Sequence, residues 1–188
     1  MSEPGEVRDE KLDAEAEARR LVALAQVRQY PDPVLRMKAH EVEAQDADLV
    51  RLVGRLEHLL DDANGLGLAA TQVGVLRRVF VFHADPEDDV VALVNPRLVE
   101  TSEERISDDE GCLSLGSVVM PVERHERVTV EATDAQGNDV RLELEGLAAR
   151  IVQHEIDHLD GILILDRTTP EARREALAVL RPQPVIVR

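Results

Sequence analysis

Two histidines four residues apart, the first followed by a glutamate, make His154-Glu155-Ile156-Asp157-His158 an H-E-x-x-H pattern, and the chain holds one thiol, Cys112. Residues four apart share a helix face, so both imidazoles can grip one metal ion while the carboxylate between them reaches a water on it. That is the layout of a hydrolase. Catalytic sites of this kind take three protein ligands and leave a fourth position for water, so a third ligand must come from elsewhere. Cys112 is the one thiol on offer, although a lone buried cysteine more often serves as a small hydrophobe.

The elements that must position these groups are legible as periodicities. Gly146 opens and Gly161 closes a helix on which Leu147, Ile151, His154 and His158 fall at offsets 0, 4, 7 and 11, placing the ligands on the face that packs inward. Short β-branched runs between turn signals predict strands at 78–82, 90–94, 128–132 and 140–144, the last two joined in a hairpin through 134–138. Leu49, Leu52, Val53, Leu56, Leu59 and Leu60 recur at helical spacing, with Asp46 as N-cap, Asn64-Gly65 as stop and His58 on the surface. Tyr30-Pro31-Asp32-Pro33 imposes an extended turn, and Thr169-Pro170-Glu171 supplies the N-cap and first turn of a last short helix. This order is not a regular β-α alternation. It predicts an α+β fold, mostly antiparallel sheets packed around a central H-E-x-x-H helix. Three regions are expected: an acidic N-terminal arm over 1–26, helical or partly disordered, a catalytic domain over 27–168, and a C-terminal helix and tail over 169–188.

At 188 residues the chain is one ordinary domain, large enough to fold without a structural metal, so a bound metal is there for chemistry. One cysteine permits no internal disulfide, and the first residues lack the basic start and apolar run of a secretion signal, so a reducing cytoplasm is expected. No apolar run approaches the roughly 20 residues that span a bilayer. A net charge of −16 repels bulk nucleic acid, and no direct DNA binding is expected. One local exception is a run of Arg167, Arg173, Arg174, Arg181 and Arg188, read either as a ribosome-contacting patch or as a solvated helix face.

Two further motifs add specificity. Gly65-Leu66-Gly67-Leu68-Ala69-Ala70-Thr71-Gln72 and Glu110-Gly111-Cys112-Leu113-Ser114 precede Gln153-His154-Glu155-Ile156-Asp157-His158. In this order and at similar separations the three resemble the signatures of the peptide deformylase family, and the resemblance runs from about Val27 to about Arg167. It implies that Cys112, His154 and His158 ligate one divalent metal ion, iron(II) in preference to zinc, nickel or cobalt, all of which suit that donor set. Such an ion lowers the pKa of a bound water from about 15.7 toward roughly 7. The resemblance further implies Glu155 as general base and acid, and Gln72 with the Leu113 N–H as oxyanion donors. The implied substrate is the N-formylmethionyl end of a nascent peptide, with formate as the product.

For binding, Gly65 and Gly67 allow a peptide to lie close against the backbone, and Leu68, Leu147 and Ile151 line a methionine pocket or else belong to the core. Glu110 and Arg124 correspond to charged family positions and are expected to pair behind the cysteine. The chain departs from the family after Ser114, where Leu115-Gly116-Ser117-Val118 replaces an aliphatic-proline pair, and Val118-Val119-Met120 lacks an arginine found in some members. Peptide contacts beyond the methionine are therefore expected to differ. Two rivals stand beside this reading. A metalloprotease would use the same helix on internal peptide bonds, and a silent metal-binding module would have lost Glu155 or Gln72, both of which are present.

Overall fold

Strand β2 (Val79–His83) lies at the centre of the molecule and feeds two cores at once. The computed structural model describes residues 14–43, 48–85 and 89–180. Successive side chains on a strand point to opposite faces, so a run that is apolar at every position requires cover on both. Val79 and Val81 pack with Leu56 and Leu60 of helix α2 (Leu49–Ala63), while Phe80 and Phe82 pack with Ala149, Val152 and Ile156 of helix α3 (Gly146–Leu159). The two phenylalanines meet edge to face with centroids 5.7 Å apart.

Around β2 the sheet runs in the order β1-β2-β3-β6-β7, antiparallel throughout, with β1 at Gly67–Ala69, β3 at Val90–Thr101, β6 at Arg127–Thr133 and β7 at Asp139–Glu145. A second, two-stranded sheet pairs β4 (Arg105–Gly111) with β5 (Val119–His125). The expected α+β class, antiparallel sheets around the H-E-x-x-H helix, is what forms. In the β6–β7 hairpin the Asp134 carboxylate accepts from the N–H groups of Gln136 and Asn138, and Gly137 takes φ 87°.

Three strands form where no strand is predicted. β1 is short, and β4, Arg-Ile-Ser-Asp-Asp-Glu-Gly, buries only Glu110, so its sequence has no apolar alternation to detect. It is held by backbone pairing with β5. Strand β3 extends well beyond 90–94, because the register shift between Val94 and Arg97 absorbs Pro96 in a bulge. Asn95, at φ 52°, locks that bulge by accepting from the Val42 N–H and donating to the Val42 carbonyl.

Helix α2 buries the predicted leucines and ends at Asn64, whose left-handed conformation lets Gly65 N–H bond the Leu60 carbonyl. The predicted cap Asp46 lies outside the described residues, and the helix follows Asp48. Helix α1 (Ala14–Leu24) docks on α2 through Ala23, with Val27 just beyond it in the same core. Helix α4 (Pro170–Leu180) starts as predicted, with Thr169 Oγ1 accepting from Ala172 N–H at 3.2 Å. Leu147 departs from the inward face expected for it: it is 49% exposed, because the first turn of α3 overhangs a cavity rather than the sheet. Among the described residues no helix is long and apolar enough to cross a membrane.

Candidate active site

Helix α3 carries His154, Glu155 and His158 across the sheet, and Cys112 comes to meet them from the end of β4. Cys112 is extended, at φ −148° and ψ 132°, and is followed at once by a single 3-10 turn, Leu113–Leu115. That reversal places its sulfur 3.2 Å from His158 Nε2. The donor atoms of Cys112, His154 and His158 all lie within 4.8 Å of one another, the one such cluster of three found among the described residues.

A thiol and two imidazoles suit a borderline-soft divalent ion. The tautomer of His154 supports that fit, since Nδ1 bonds Glu110 Oε2 at 2.9 Å and leaves Nε2 for the ion. Two buried polar atoms, Glu155 Oε2 and His158 Nδ1, have no hydrogen-bond partner among the described residues. Burial opposes the charged form of His154, but Cys112, Glu110 and Glu155 outweigh it and hold its pKa well above the ordinary value. Burial and the charges of His154 and Arg124 push His158 well below the ordinary value.

Glu155 is 3% exposed, and with the protein's own charges alone burial pushes its carboxyl up to about 7. Its place depends on Gly67, where a Cβ would lie 2.8 Å from Glu155 Cδ and 2.9 Å from Cγ. At Gly65 a Cβ would meet Leu60 Cδ1 at 2.9 Å and Leu113 Cδ1 at 3.1 Å. The close approach these glycines permit is therefore to Glu155 and Leu113. With Glu155 read as the general base, Gly67→Ala is expected to displace its carboxylate and lower kcat about 10²-fold while the metal is retained, because a base must stay within hydrogen-bond reach. Steady-state kinetics with metal analysis checks this, and an unchanged kcat would show that Glu155 tolerates the shift.

Gln72 is held by both ends of its amide. Oε1 accepts from Ala69 N–H at 2.9 Å, and Nε2 therefore points to Cys112 Sγ at 3.7 Å and Ser114 Oγ at 3.1 Å. The Leu113 N–H opens its 3-10 turn and has no carbonyl behind it in that turn to bond. Two donors thus flank the cysteine.

Behind Cys112 and His154, Glu110 and Arg124 pair as expected, at 2.9 and 3.0 Å in a bidentate fork. Burial works against the Glu110 carboxylate, but its bonds to His154 and Arg124 bring its pKa down to about 2. Sequence reasoning missed the rest of this network. Arg150 donates to Glu110 Oε1 at 2.8 Å, and Arg124 also donates to Asp157 at 2.5 Å. Arg150 and Asp157 are charges on a buried helix, and a buried charge needs a partner, which was the available signal. Arg167, expected in a basic patch, instead bonds both oxygens of Asp157.

A cavity of ≈ 600 Å³ opens over Cys112 and His154, with Gly65, Leu66 and Gly67 on one wall and Leu113, Leu147 and Ile151 among the others. Leu68 does not reach it. The alternation of β1 turns Gly67 toward Glu155 and Leu68 into the core with α2, where it is fully buried.

A buried glutamate beside two histidines and a thiol, under an apolar cavity, defines a metal-dependent hydrolase. Comparison with known proteins narrows the class. The family model described as polypeptide deformylase matches residues 24–174. A peptide deformylase of Thermodesulfovibrio yellowstonii is 41% identical over 155 residues, 81% of this chain and 93% of that one. Another, of Caldicellulosiruptor bescii, is 48% identical over 146 residues, 78% of this chain and 86% of its own. The crystal structure of a peptide deformylase from Legionella pneumophila superposes with a TM-score of 0.77 at 37% identity, covering 82% of this chain and 91% of that one. The chain belongs to the polypeptide deformylase family. The family's reaction is metal-dependent removal of the N-formyl group from nascent peptides, and it is the function of this chain.

Proposed function

We propose that Cys112, His154 and His158 hold one divalent ion, iron(II) in the working enzyme with zinc, nickel or cobalt as substitutes, and that Glu155, Gln72 and the Leu113 N–H act on a formamide beside it. The observation that carries this reading is the convergence of three donor atoms within 4.8 Å next to a buried glutamate. When bound, the ion supplies Lewis-acid polarisation and an acidified water. Glu155 takes a proton from the attacking water as the new C–O bond forms. Gln72 Nε2 and the Leu113 N–H donate to the oxygen on which charge develops. As the C–N bond breaks, Glu155 returns the proton to the leaving amine, giving formate and a free amino terminus.

Residues 27–168 form the catalytic domain in this reading. Gly65, Gly67, Leu147 and Ile151 border the path of the formylmethionyl peptide, and β1, an edge strand that pairs only with β2 among the described residues, offers it backbone groups to pair with. Hydrolysis is expected to be specific for the formyl bond. Formate should be released from formyl-Met-Ala-Ser and the unformylated peptide left whole; cleavage of the latter alone would favour a metalloprotease. A cytoplasmic location follows from a nascent-peptide substrate.

The ribosome-contacting face is assigned to α4, where Arg174 is exposed and Arg173 stands 3.9 Å from Asp166. Arg181 and Arg188 lie outside the described residues. Ribosome co-sedimentation should weaken with salt and with Arg173→Glu plus Arg174→Glu. Binding that survives both would return α4 to solvent.

A further inference from the structure

All of helix α1 but its last residue, Leu24, precedes the stretch matched to the family, yet Arg20 and Leu24 line the same cavity as Cys112, His154 and Glu155. Leu24 is half-buried and packs against the α2 core, so its position is fixed by the fold. The cavity has two cations, and they are not equivalent. Arg150 is fully engaged, donating to Glu110 and to the carbonyls of Val122 and Ile106. Arg20 is exposed, and among the described residues no carboxylate pairs with it.

One bond orients Arg20: its Nε donates to the Ala63 carbonyl at 3.3 Å. Ala63 ends α2 and lies two residues before Gly65, so this bond sets the guanidinium beside the Gly65-Leu66-Gly67 wall. Every other charged residue of the cavity is either acidic or bound in the Glu110 network, and Asp109 is an exposed carboxylate from β4. The chain as a whole carries −16, which repels acidic peptides. Arg20 is a local offset to that field.

We propose that α1 is a specificity wall of the deformylase cleft, with Leu24 packing against apolar parts of the peptide and Arg20 taking a carboxylate on a residue that follows the formylated one. This rests on the formyl-peptide reading above. An arginine that only caps α2 would stabilise the helix end and treat all peptides alike. A substrate-facing arginine discriminates by charge, through binding rather than through the chemical step.

The test uses the full-length, metal-loaded enzyme and formyl-Met-Ala-Xaa peptides with amidated C termini, Xaa being Glu, Gln or Lys. In the wild type, kcat/KM for Glu should exceed that for Lys, and the ratio should shrink as salt is raised. Arg20→Gln should reduce this ratio and Arg20→Glu should reduce it further, by about three- to tenfold in all, with the change in KM. Leu24→Ala should raise KM for all three. A free-acid version of the Gln peptide, compared with its amide, reports whether a terminal carboxylate is taken in the same way. Formate release with a Glu-to-Lys ratio that neither Arg20 variant alters overturns the wall alone. No formate from any peptide with the wild-type enzyme overturns the deformylase reading and the wall with it.

Discussion

Glu155→Ala is expected to keep its metal and lose about 10²–10⁴-fold in kcat, the range that a positioned general base and acid supplies. The side chain is 3% exposed and its Oε2 bonds nothing among the described residues, so truncation strips no donor of its acceptor there. Fold and ligand geometry should therefore survive, and the loss should fall on the proton transfers. Glu155→Gln keeps the volume without the base and should lose activity to a similar degree. Metal content per chain and kcat on the same preparation check this; undiminished turnover in either variant would place the base elsewhere.

Glu110→Ala should damage stability and metal retention together. Its two oxygens accept from Arg124, Arg150 and His154, all largely buried. Removing the carboxylate leaves Arg150 without an acid partner and Arg124 with only Asp157. Breaking a buried ion pair by removing one partner costs about 3–5 kcal/mol. The His154 ring also loses the bond that fixes its tautomer, and loss of such a support weakens metal affinity about 10–100-fold. Urea unfolding and competition with a chelator measure the two effects separately. A variant as stable and as metal-retentive as the wild type would show that the network is dispensable. Glu110→Gln, which keeps hydrogen-bonding oxygen but no charge, should fall between.

How much of this was visible beforehand depended on how local each constraint is. His154, Glu155 and His158 were legible because a helix brings fixed offsets to one face, and Gln72 and Cys112 because their motifs recur as units. The β6–β7 hairpin and α2 were legible from periodicity and from Asn64 as a stop. Strand β4 was not, because backbone pairing with β5 holds it and its side chains are polar and exposed. The role of Gly67 was half legible: close approach was predictable, but that Glu155 is what approaches depends on how α3 crosses β1. Likewise Leu68 could be assigned to a face only once β1 was known to be a strand. The pairings of Arg150 with Glu110, of Arg124 with Asp157 and of Arg167 with Asp157 join different elements, and nothing in the spacing of these residues predicts which pairs form. Helix α1 read as a solvated arm because its contribution to the cavity comes from docking on α2.

The central claim is that one ion held by Cys112, His154 and His158 drives release of formate. Wild type and Cys112→Ser, each loaded in turn with iron(II), zinc and nickel, should be compared for ions per chain and for formate released from formyl-Met-Ala-Ser. The account predicts one ion per chain and formate release for the wild type, with iron(II) the most active form, and poor retention with little formate for Cys112→Ser. A Cys112→Ser protein that keeps its ion and its full rate would contradict it.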